Sequence, residues 1–401
     1  MKYIDLFKLL KKKTNHTDNQ IKISDVIEVH NFTFTSNNCF ILPSDSSNDT
    51  HLGYDQKSET GIMHEMLNIH DSDVKENITF RYHVFSPVGA LKAQKIVFMF
   101  HGFNEKYWHK YLPWAKYIVD TTGKTVVLFP IAFHMNRAPQ VWSDTRLMYE
   151  VSNRRKELFP DIIHSSLSNT AISTRLQANP QRFVWSGLQT YYDVIQFMDE
   201  YKKGLHPFIT PDAEADVFAY SIGAFLAEVL MMTNHQQYFD KSKLVMFCGG
   251  SVFNRLSPVS KFIIDSQANV ALYSYIIEHI DSHIKKDEKL KRYLCERPEG
   301  ISFRSMLNYS VMSDLREERL HAIGRRLLVL TLKQDIVAPP YEVINTLQGK
   351  YRDIPVKVDV LDLPYPYKHE DPFPVLENNS DEIDVGFQRV FDPICKFLSD
   401  Y

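Results

Sequence analysis

Short apolar runs alternate with segments of helical periodicity along most of the chain after residue 78. The run at residues 95–100 (KIVFMF) is typical of a strand buried on both faces, and helical spacing follows over residues 107–121. The predicted strands are residues 78–85, 95–100, 125–129, 215–220, 244–248, 327–332 and 356–361. The predicted helices are residues 107–121, 188–201, 222–232, 340–347 and 385–398. This order predicts an α/β fold with a mostly parallel sheet and helices on both faces.

Two long segments, residues 134–187 and 253–325, interrupt this order. Both are too long for simple connections, so we expect them to carry structure of their own as helical lid or cap insertions. Residues 1–77 are expected to be an N-terminal extension with polar loops. They include a short amphipathic helix at the start and strand-like pieces at residues 26–34 and 40–42. The remaining residues, 78–401, form the predicted core with its two insertions.

Composition excludes several classes of protein. The chain has 401 residues, with 46 Lys and Arg against 49 Asp and Glu, and this balance gives no electrostatic footprint for nucleic-acid binding. No apolar run approaches the roughly 18 residues that cross a bilayer, and the N-terminus lacks the pattern of a signal peptide. The four cysteines are scattered without a C-x-x-C pattern, which indicates reduced thiols. We therefore expect a cytoplasmic protein.

A serine stands where a predicted strand passes into a predicted helix, in Ala219-Tyr220-Ser221-Ile222-Gly223. A nucleophilic serine needs such a sharp turn, which strains its backbone and presses strand and helix together. Small residues are therefore needed two positions to either side, and here they are Ala219 and Gly223. The N–H groups at the start of the helix are suited to stabilise an oxyanion. By itself the pattern fits a serine that caps a buried helix equally well.

The dipeptide His101-Gly102 directly follows the apolar run at residues 95–100. Together with the serine pentapeptide it makes the chain resemble the α/β-hydrolase superfamily, and we take it for a bacterial branch of that superfamily. The resemblance covers about residues 78–401, and Ala219 departs from it because the usual pattern has glycine there.

In that superfamily the H-G dipeptide shapes the loop that binds the oxyanion. The resemblance implies that the backbone N–H groups of Phe103 and Ile222 form the oxyanion hole and that His101 is structural. Asn104 is either a further side-chain donor or a turn residue.

The superfamily has its serine, acid and histidine in that order, each after its own strand. Asp335 follows the strand predicted at residues 327–332, and His369, the last histidine of the chain, follows the one at residues 356–361. The resemblance thus implies a triad of Ser221 as nucleophile, His369 as general base and Asp335 as orienting acid. Alone, Asp335 fits a turn residue better, and Glu370 and Asp371 are alternative acids.

The implied reaction is hydrolysis of a carboxylic ester or related acyl bond in a small molecule through an acyl-enzyme, without metal or cofactor. A thioesterase, a peptidase or an acyltransferase uses the same triad, and a catalytically silent member of the fold would be a binding module. We expect aromatic residues of the insertions to form an apolar acyl pocket. They are Trp142, Tyr149, Phe159, Trp185, Phe262, Tyr273 and Tyr275.

Weaker signals fall within the two insertions. After the strand at residues 125–129 come His134, Asn136, Arg137 and Trp142, which either line the rim of the substrate pocket or hold the insertion in place. The run Arg154-Arg155-Lys156 is a weak candidate for binding a substrate anion and is better explained as a solvated charge run. His279 and His283, with Asp281 between them, have the spacing of metal ligands on a helix, although solvated surface residues explain them better.

Overall fold

One sheet runs through the part of the protein that the structure describes. The computed structural model describes residues 1–14, 18–42 and 69–400. Within them nine strands form the sheet in the order β1-β2-β3-β5-β4-β6-β7-β8-β9. The strands are β1 (Gln20–Lys22), β2 (Ile27–Thr35), β3 (Thr79–Pro87), β4 (Ala93–Phe100), β5 (Thr125–Leu128), β6 (Ile209–Tyr220), β7 (Leu244–Phe247), β8 (Leu327–Leu332) and β9 (Lys357–Leu361).

Helices cover the sheet and fill the two insertions. In the described residues they are α1 (Tyr3–Lys13), α2 (Lys75–Ile78), α3 (Tyr111–Thr122), α4 (Thr145–Leu158), α5 (Thr170–Ala178), α6 (Arg182–Lys202), α7 (Ile222–Thr233), α8 (Ser266–Ser274), α9 (Ile280–Lys286), α10 (Glu288–Lys291), α11 (Pro298–Ser305), α12 (Ser313–Ile323), α13 (Pro340–Leu347) and α14 (Ser380–Ser399). The seven strands predicted after residue 77 are present.

The predicted α/β fold is confirmed. Every neighbouring pair from β5 to β9 is parallel, while β1, β2 and β3 pair in antiparallel fashion and β3 runs antiparallel to β5. The central strands are continuous apolar runs because they are covered on both faces. In β8, for example, all six residues are buried.

Alternating side chains of the strands supply two separate cores. Phe98 of β4 points into the core shared with α6 and α7, and Met99 points into the core shared with α1, α3 and α14. This follows from the two-residue period of a strand. The helices therefore lie on both faces of the sheet, as the sequence predicts.

The described residues of the N-terminal region contribute more to the sheet than the polar loops expected for residues 1–77 would do. β2 pairs with β3 over its whole length, from Ile27 opposite Pro87 to Thr35 opposite Thr79, and so extends the sheet. The strand predicted at residues 26–34 is thus present, but the one predicted at residues 40–42 is wrong because Cys39–Ile41 forms a 3₁₀ turn. Residues 15–17 and 43–68 of this region lie outside the described residues.

A buried ion pair joins the two insertions. The guanidinium of Arg155 in α4 donates from Nε and Nη2 to the two carboxylate oxygens of Asp265, both at 2.9 Å, and neither side chain is exposed. Asp265 also accepts from the N–H of Ala268 and so caps α8. The interpretation of Arg155 as a solvated or anion-binding residue is therefore wrong, whereas neighbouring Arg154 is exposed and pairs with Glu157.

Arg155→Ala should destabilise the fold by about 3–5 kcal/mol, because it leaves the Asp265 carboxylate buried without its partner. Urea denaturation followed by circular dichroism measures the change. The matched control is Arg154→Ala, which removes an exposed ion pair and should leave the free energy of unfolding nearly unchanged. Equal stability of the two variants would contradict the structural role of Arg155.

Candidate active site

The sheet has a topological switch point between β4 and β6. From β4 the chain passes to β5 on one side and then returns to β6 on the other side. At such a point a crevice opens at the carboxyl ends of the strands, where open α/β sheets bind ligands. The last register pair is Phe100 with Ala219, so the loop after β4 and the turn after β6 begin side by side.

Ser221 occupies the turn between β6 and α7 with φ 56° and ψ −123°. A residue with a side chain rarely adopts a positive φ, and the strain persists only where the surroundings impose it. Here the close packing at Gly223 imposes the positive φ. A Cβ at that position would lie 2.8 Å from the carbonyl oxygen of His101 and 2.9 Å from that of Phe100. The helix therefore packs directly onto the end of β4, as predicted for small residues around a nucleophilic serine.

Gly249 is a second constraint on this turn, and the sequence analysis missed it. A Cβ there would lie 2.6 Å from the carbonyl oxygen of Ser221 and 2.7 Å from the Cβ of Ala224. The available signal was a glycine pair, Gly249-Gly250, immediately after a buried strand in a chain with only 14 glycines.

The structure brings Ser221, His369 and Asp335 together. The Oγ of Ser221 lies 2.7 Å from Nε2 of His369, and Nδ1 of His369 lies 2.8 Å from Oδ2 of Asp335. The other carboxylate oxygen of Asp335 accepts the N–H groups of Val337 and Ala338, both at 2.9 Å. Because a carboxylate only accepts, Nδ1–H of His369 donates to it, which leaves Nε2 free to accept the serine hydroxyl proton.

Two residues that the sequence analysis did not single out for a role hold the loop that carries His369. The hydroxyl of Tyr220 donates to the backbone carbonyl of His369, and Nζ of Lys110 donates to that of Glu370 at 2.9 Å. Burial raises the pKa of Tyr220 well above its usual value, so its hydroxyl stays a donor. Lys110 also pairs with Glu105. These contacts fix the backbone on both sides of the imidazole.

The loop after β4 is ordered by His101. Its Nε2 accepts the N–H of Ile131 at 2.9 Å, so Nδ1–H donates to the carbonyl of Gly102 at 2.8 Å. Burial holds its pKa well below the usual value and keeps the ring neutral. Among the described residues, neither the N–H of Phe103 nor that of Ile222 has an acceptor. Both donors expected for an oxyanion are therefore unused.

The structure gives the four predicted substrate contacts different surroundings. Asn104 uses its amide to donate to the carbonyls of Ser168, at 2.9 Å, and Phe262, at 2.6 Å, so it ties the loop to both insertions. His134 is buried, donates from Nδ1 to Ala132 at 2.9 Å, and has its pKa lowered to about 4 by burial. It lines two small cavities beside the loop.

Arg137 and Trp142 are held within the protein. Arg137 is fully buried, donates to Asp193 at 2.7 Å and packs over the ring of Phe80. The indole of Trp142 lies 4.0 Å from the guanidinium of Arg175 and borders one of the small cavities. Arg137 therefore holds the insertion in place and does not line the rim of a substrate pocket.

A compact cavity of about 40 Å³ adjoins the start of α7. Its walls are mainly aromatic and apolar, and include Phe103, Phe183, Ile222, Phe225, Leu226 and Phe303. None of the aromatic residues predicted for an acyl pocket lines this cavity. Tyr149, Phe262 and Tyr273 are largely exposed, and Trp185 and Tyr275 are buried in the core. The sequence analysis did not single out Phe183, Phe225 and Phe303. They lie in three different helices, and in each helix the pattern is that of an ordinary core residue.

The proposed histidine pair shows no metal-binding arrangement. His279 lies 3.7 Å from Glu278, and His283 packs against Tyr275. Throughout residues 1–14, 18–42 and 69–400, no group of three or more His, Cys, Asp or Glu residues is placed to hold a metal ion. Nor does any helix in these same residues combine the length and apolar character needed to span a bilayer.

These features define an α/β protein in which a serine, a histidine and an aspartate are joined in series at the carboxyl edge of a mostly parallel sheet. The chain belongs to DUF6051, a family of unknown function whose model matches residues 1–399. No curated protein matches the chain.

Several solved structures are similar to this chain. Carboxyl esterase 2 from the fungus Tuber melanosporum is 10% identical over 80% of each chain, with a TM-score of 0.41. A cold-adapted esterase from an Arctic intertidal metagenomic library is 8% identical, over 96% of this chain and 99% of its own, with a TM-score of 0.40. An acylaminoacyl peptidase from Pyrococcus horikoshii is 12% identical, over 80% of this chain and 39% of its own, with a TM-score of 0.39.

Gly249→Ala should destabilise the protein by about 1–3 kcal/mol, because the added Cβ meets the backbone of Ser221 and forces the turn to move. Urea denaturation measures the change. Gly324→Ala is the control, since Gly324 has an ordinary φ of −53° and its nearest neighbour, at 3.2 Å, belongs to the side chain of Pro355. If Gly249→Ala cost no more than Gly324→Ala, the close packing behind Ser221 would be refuted.

Proposed function

We propose that the protein is a serine hydrolase that cleaves a carboxylic ester, or a related acyl bond, through an acyl-enzyme on Ser221. The observation that carries the proposal is the strained backbone of Ser221 combined with the 2.7 Å contact between its Oγ and Nε2 of His369. Ser221 is then the nucleophile, His369 the general base and Asp335 the acid that orients it.

In the first half-reaction, Oγ of Ser221 forms a bond to the carbonyl carbon while its proton passes to Nε2 of His369. Asp335 accepts Nδ1–H and stabilises the imidazolium that results. The tetrahedral intermediate collapses when His369 gives that proton to the leaving oxygen, and the bond from carbon to the leaving group breaks. The products of this step are the acyl-enzyme and an alcohol.

In the second half-reaction, water takes the place of the alcohol. His369 removes a proton from the water as its oxygen attacks the acyl carbon, and returns the proton to Oγ of Ser221 as the acyl bond breaks. The net change is the conversion of ester and water into acid and alcohol, which balances without a metal or a redox cofactor.

The oxyanion hole in this proposal consists of the backbone N–H groups of Phe103 and Ile222. Ile222 is the first residue of α7, so its N–H lies at the positive end of the helix dipole. An N–H without an acceptor among the described residues is available to the negative oxygen that develops in the transition state. Removing one such donor typically costs a factor of about 10²–10³ in kcat.

The strain at Ser221 favours an enzyme over a silent binding module. A backbone in this region costs about 1–3 kcal/mol, and the glycines at positions 223 and 249 keep it in place. A binding surface gains nothing from this turn, whereas a nucleophile needs it in order to project Oγ above the sheet.

We further assign the two insertions, residues 134–187 and 253–325, as a cap over the site. Asn104 supports this assignment, because its side-chain amide donates to Ser168 in one insertion and to Phe262 in the other. The buried pair of Arg155 and Asp265 then keeps the two halves of the cap together.

A fluorophosphonate probe should label the native protein at a single serine, because only an activated hydroxyl attacks phosphorus at a useful rate. Mass spectrometry of the digested protein should locate the adduct on Ser221, and Ser221→Ala should abolish labelling. Heat-denatured protein is the control and should remain unlabelled. Absence of labelling, or equal labelling of Ser221→Ala, would favour the binding module.

Asp335→Asn should lower kcat for a nitrophenyl ester by about 10³–10⁴-fold, because the imidazole loses the acceptor that fixes its tautomer. Steady-state kinetics measure the change. Glu370→Gln is the control and should reduce kcat less than tenfold. If Asp335→Asn has little effect, the acid is instead Glu370 or Asp371.

A further inference from the structure

Two cavities of very different size meet at Phe103. The compact cavity of about 40 Å³ lies on the side of Ile222 and Phe225. On the other side a wide groove of about 900 Å³ runs between the loop after β4, the start of α1 and the loop around His369. Phe103, whose N–H is one of the two oxyanion donors, borders both.

The position of His369 decides which cavity receives which part of an ester. His369 must deliver its proton to the leaving oxygen, so the leaving group lies on the side of the imidazole. The residues on both sides of His369, Lys368 and Glu370, form a wall of the wide groove. An acyl group that extends the other way would pass Ile222, whose side chain lines the compact cavity.

The size of the compact cavity limits the acyl group. A dry apolar cavity of roughly 150 Å³ accommodates benzene, so one of about 40 Å³ holds only one or two carbon atoms. On its inner side the ring of Phe303 packs directly on the α6 backbone, because a Cβ at Gly187 would lie only 2.6 Å from it. The hydroxyl of Thr190, which also lines the cavity, already donates to Ser186 at 2.8 Å and accepts from Ala132 at 2.9 Å.

The groove offers room and apolar contact to the other half of the ester. At its rim Tyr107 and Phe262 are 55% and 53% exposed. Tyr3 and Phe7 of α1 contribute to the same groove. A large alcohol therefore buries more apolar surface in the groove than a small alcohol does.

We propose that the substrate is an ester of a short acyl group, acetyl or propionyl, with a bulky alcohol. The proposal rests on the hydrolase function proposed above and adds the class of substrate to it. Phe303 is the residue that sets the acyl length, and the groove that begins at Phe103 selects the alcohol.

The test for the acyl side is a series of 4-nitrophenyl esters from acetate to octanoate. With wild type, kcat/KM should fall by about tenfold or more between acetate and hexanoate, since each added methylene must be forced into a filled cavity. Phe303→Ala should move the preferred acyl chain to butanoate or longer. Where that variant does not fold, Phe303→Leu should shift the preference in the same direction by less.

The matched control is Phe239→Ala, which also removes a fully buried ring but lies in the loop before β7, at the opposite edge of the sheet. Phe239→Ala should keep the chain-length profile of the wild type even where it lowers thermal stability.

The alcohol side is tested with acetates of ethanol and of 2-naphthylethanol, two alcohols that are equally good leaving groups. The larger ester should have a kcat/KM at least about tenfold higher, because its alcohol gains apolar contact in the groove.

Fluorophosphonate labelling of Ser221 separates the two possible failures. If the serine is labelled but octanoate is cleaved as fast as acetate, or the two acetates react alike, the substrate class is wrong and the hydrolase proposal stands. If Ser221 is not labelled at all, the hydrolase proposal itself fails.

Discussion

The backbone of Ser221 is the constraint on which the rest of the site depends. Its φ of 56° is imposed from two sides, by the packing of α7 on β4 at Gly223 and by the approach of the β7 loop at Gly249. Three neighbouring parallel strands thus meet behind one residue. Because secondary-structure elements hold the turn on both sides, Oγ is kept in place above the carboxyl edge of the sheet.

The other half of the site is held by polar contacts from the same edge. Asp335 has one carboxylate oxygen fixed by two backbone N–H groups, and only the second faces His369. The loop of His369 is fixed in turn by Tyr220, the last residue of β6, and by Lys110, which directly precedes α3. The three residues of the site are therefore positioned by one network and not by three independent loops.

The sequence predicted the parallel strands and the serine turn, because continuous apolar runs and small residues at fixed offsets are local signals. The order of the three residues was implied by the resemblance to the α/β-hydrolase superfamily. The sequence did not predict that β2 pairs with β3, which lies about 50 residues further along the chain. It also did not predict that Arg155 is buried, because its partner Asp265 lies in the other insertion. Nor did it single out the aromatic residues that line the small cavity at the start of α7. Phe183, Phe225 and Phe303 read as core residues, and only their convergence in space distinguishes them.

The most direct measurement of the central claim is a crystal structure of the protein after reaction with a small alkyl fluorophosphonate. We expect phosphorus bonded to Oγ of Ser221, with its non-bridging oxygen about 2.7–3.1 Å from the backbone nitrogens of both Phe103 and Ile222. The alkyl group should occupy the cavity beside Phe303. An adduct on another residue, or an oxygen turned away from both nitrogens, would contradict it.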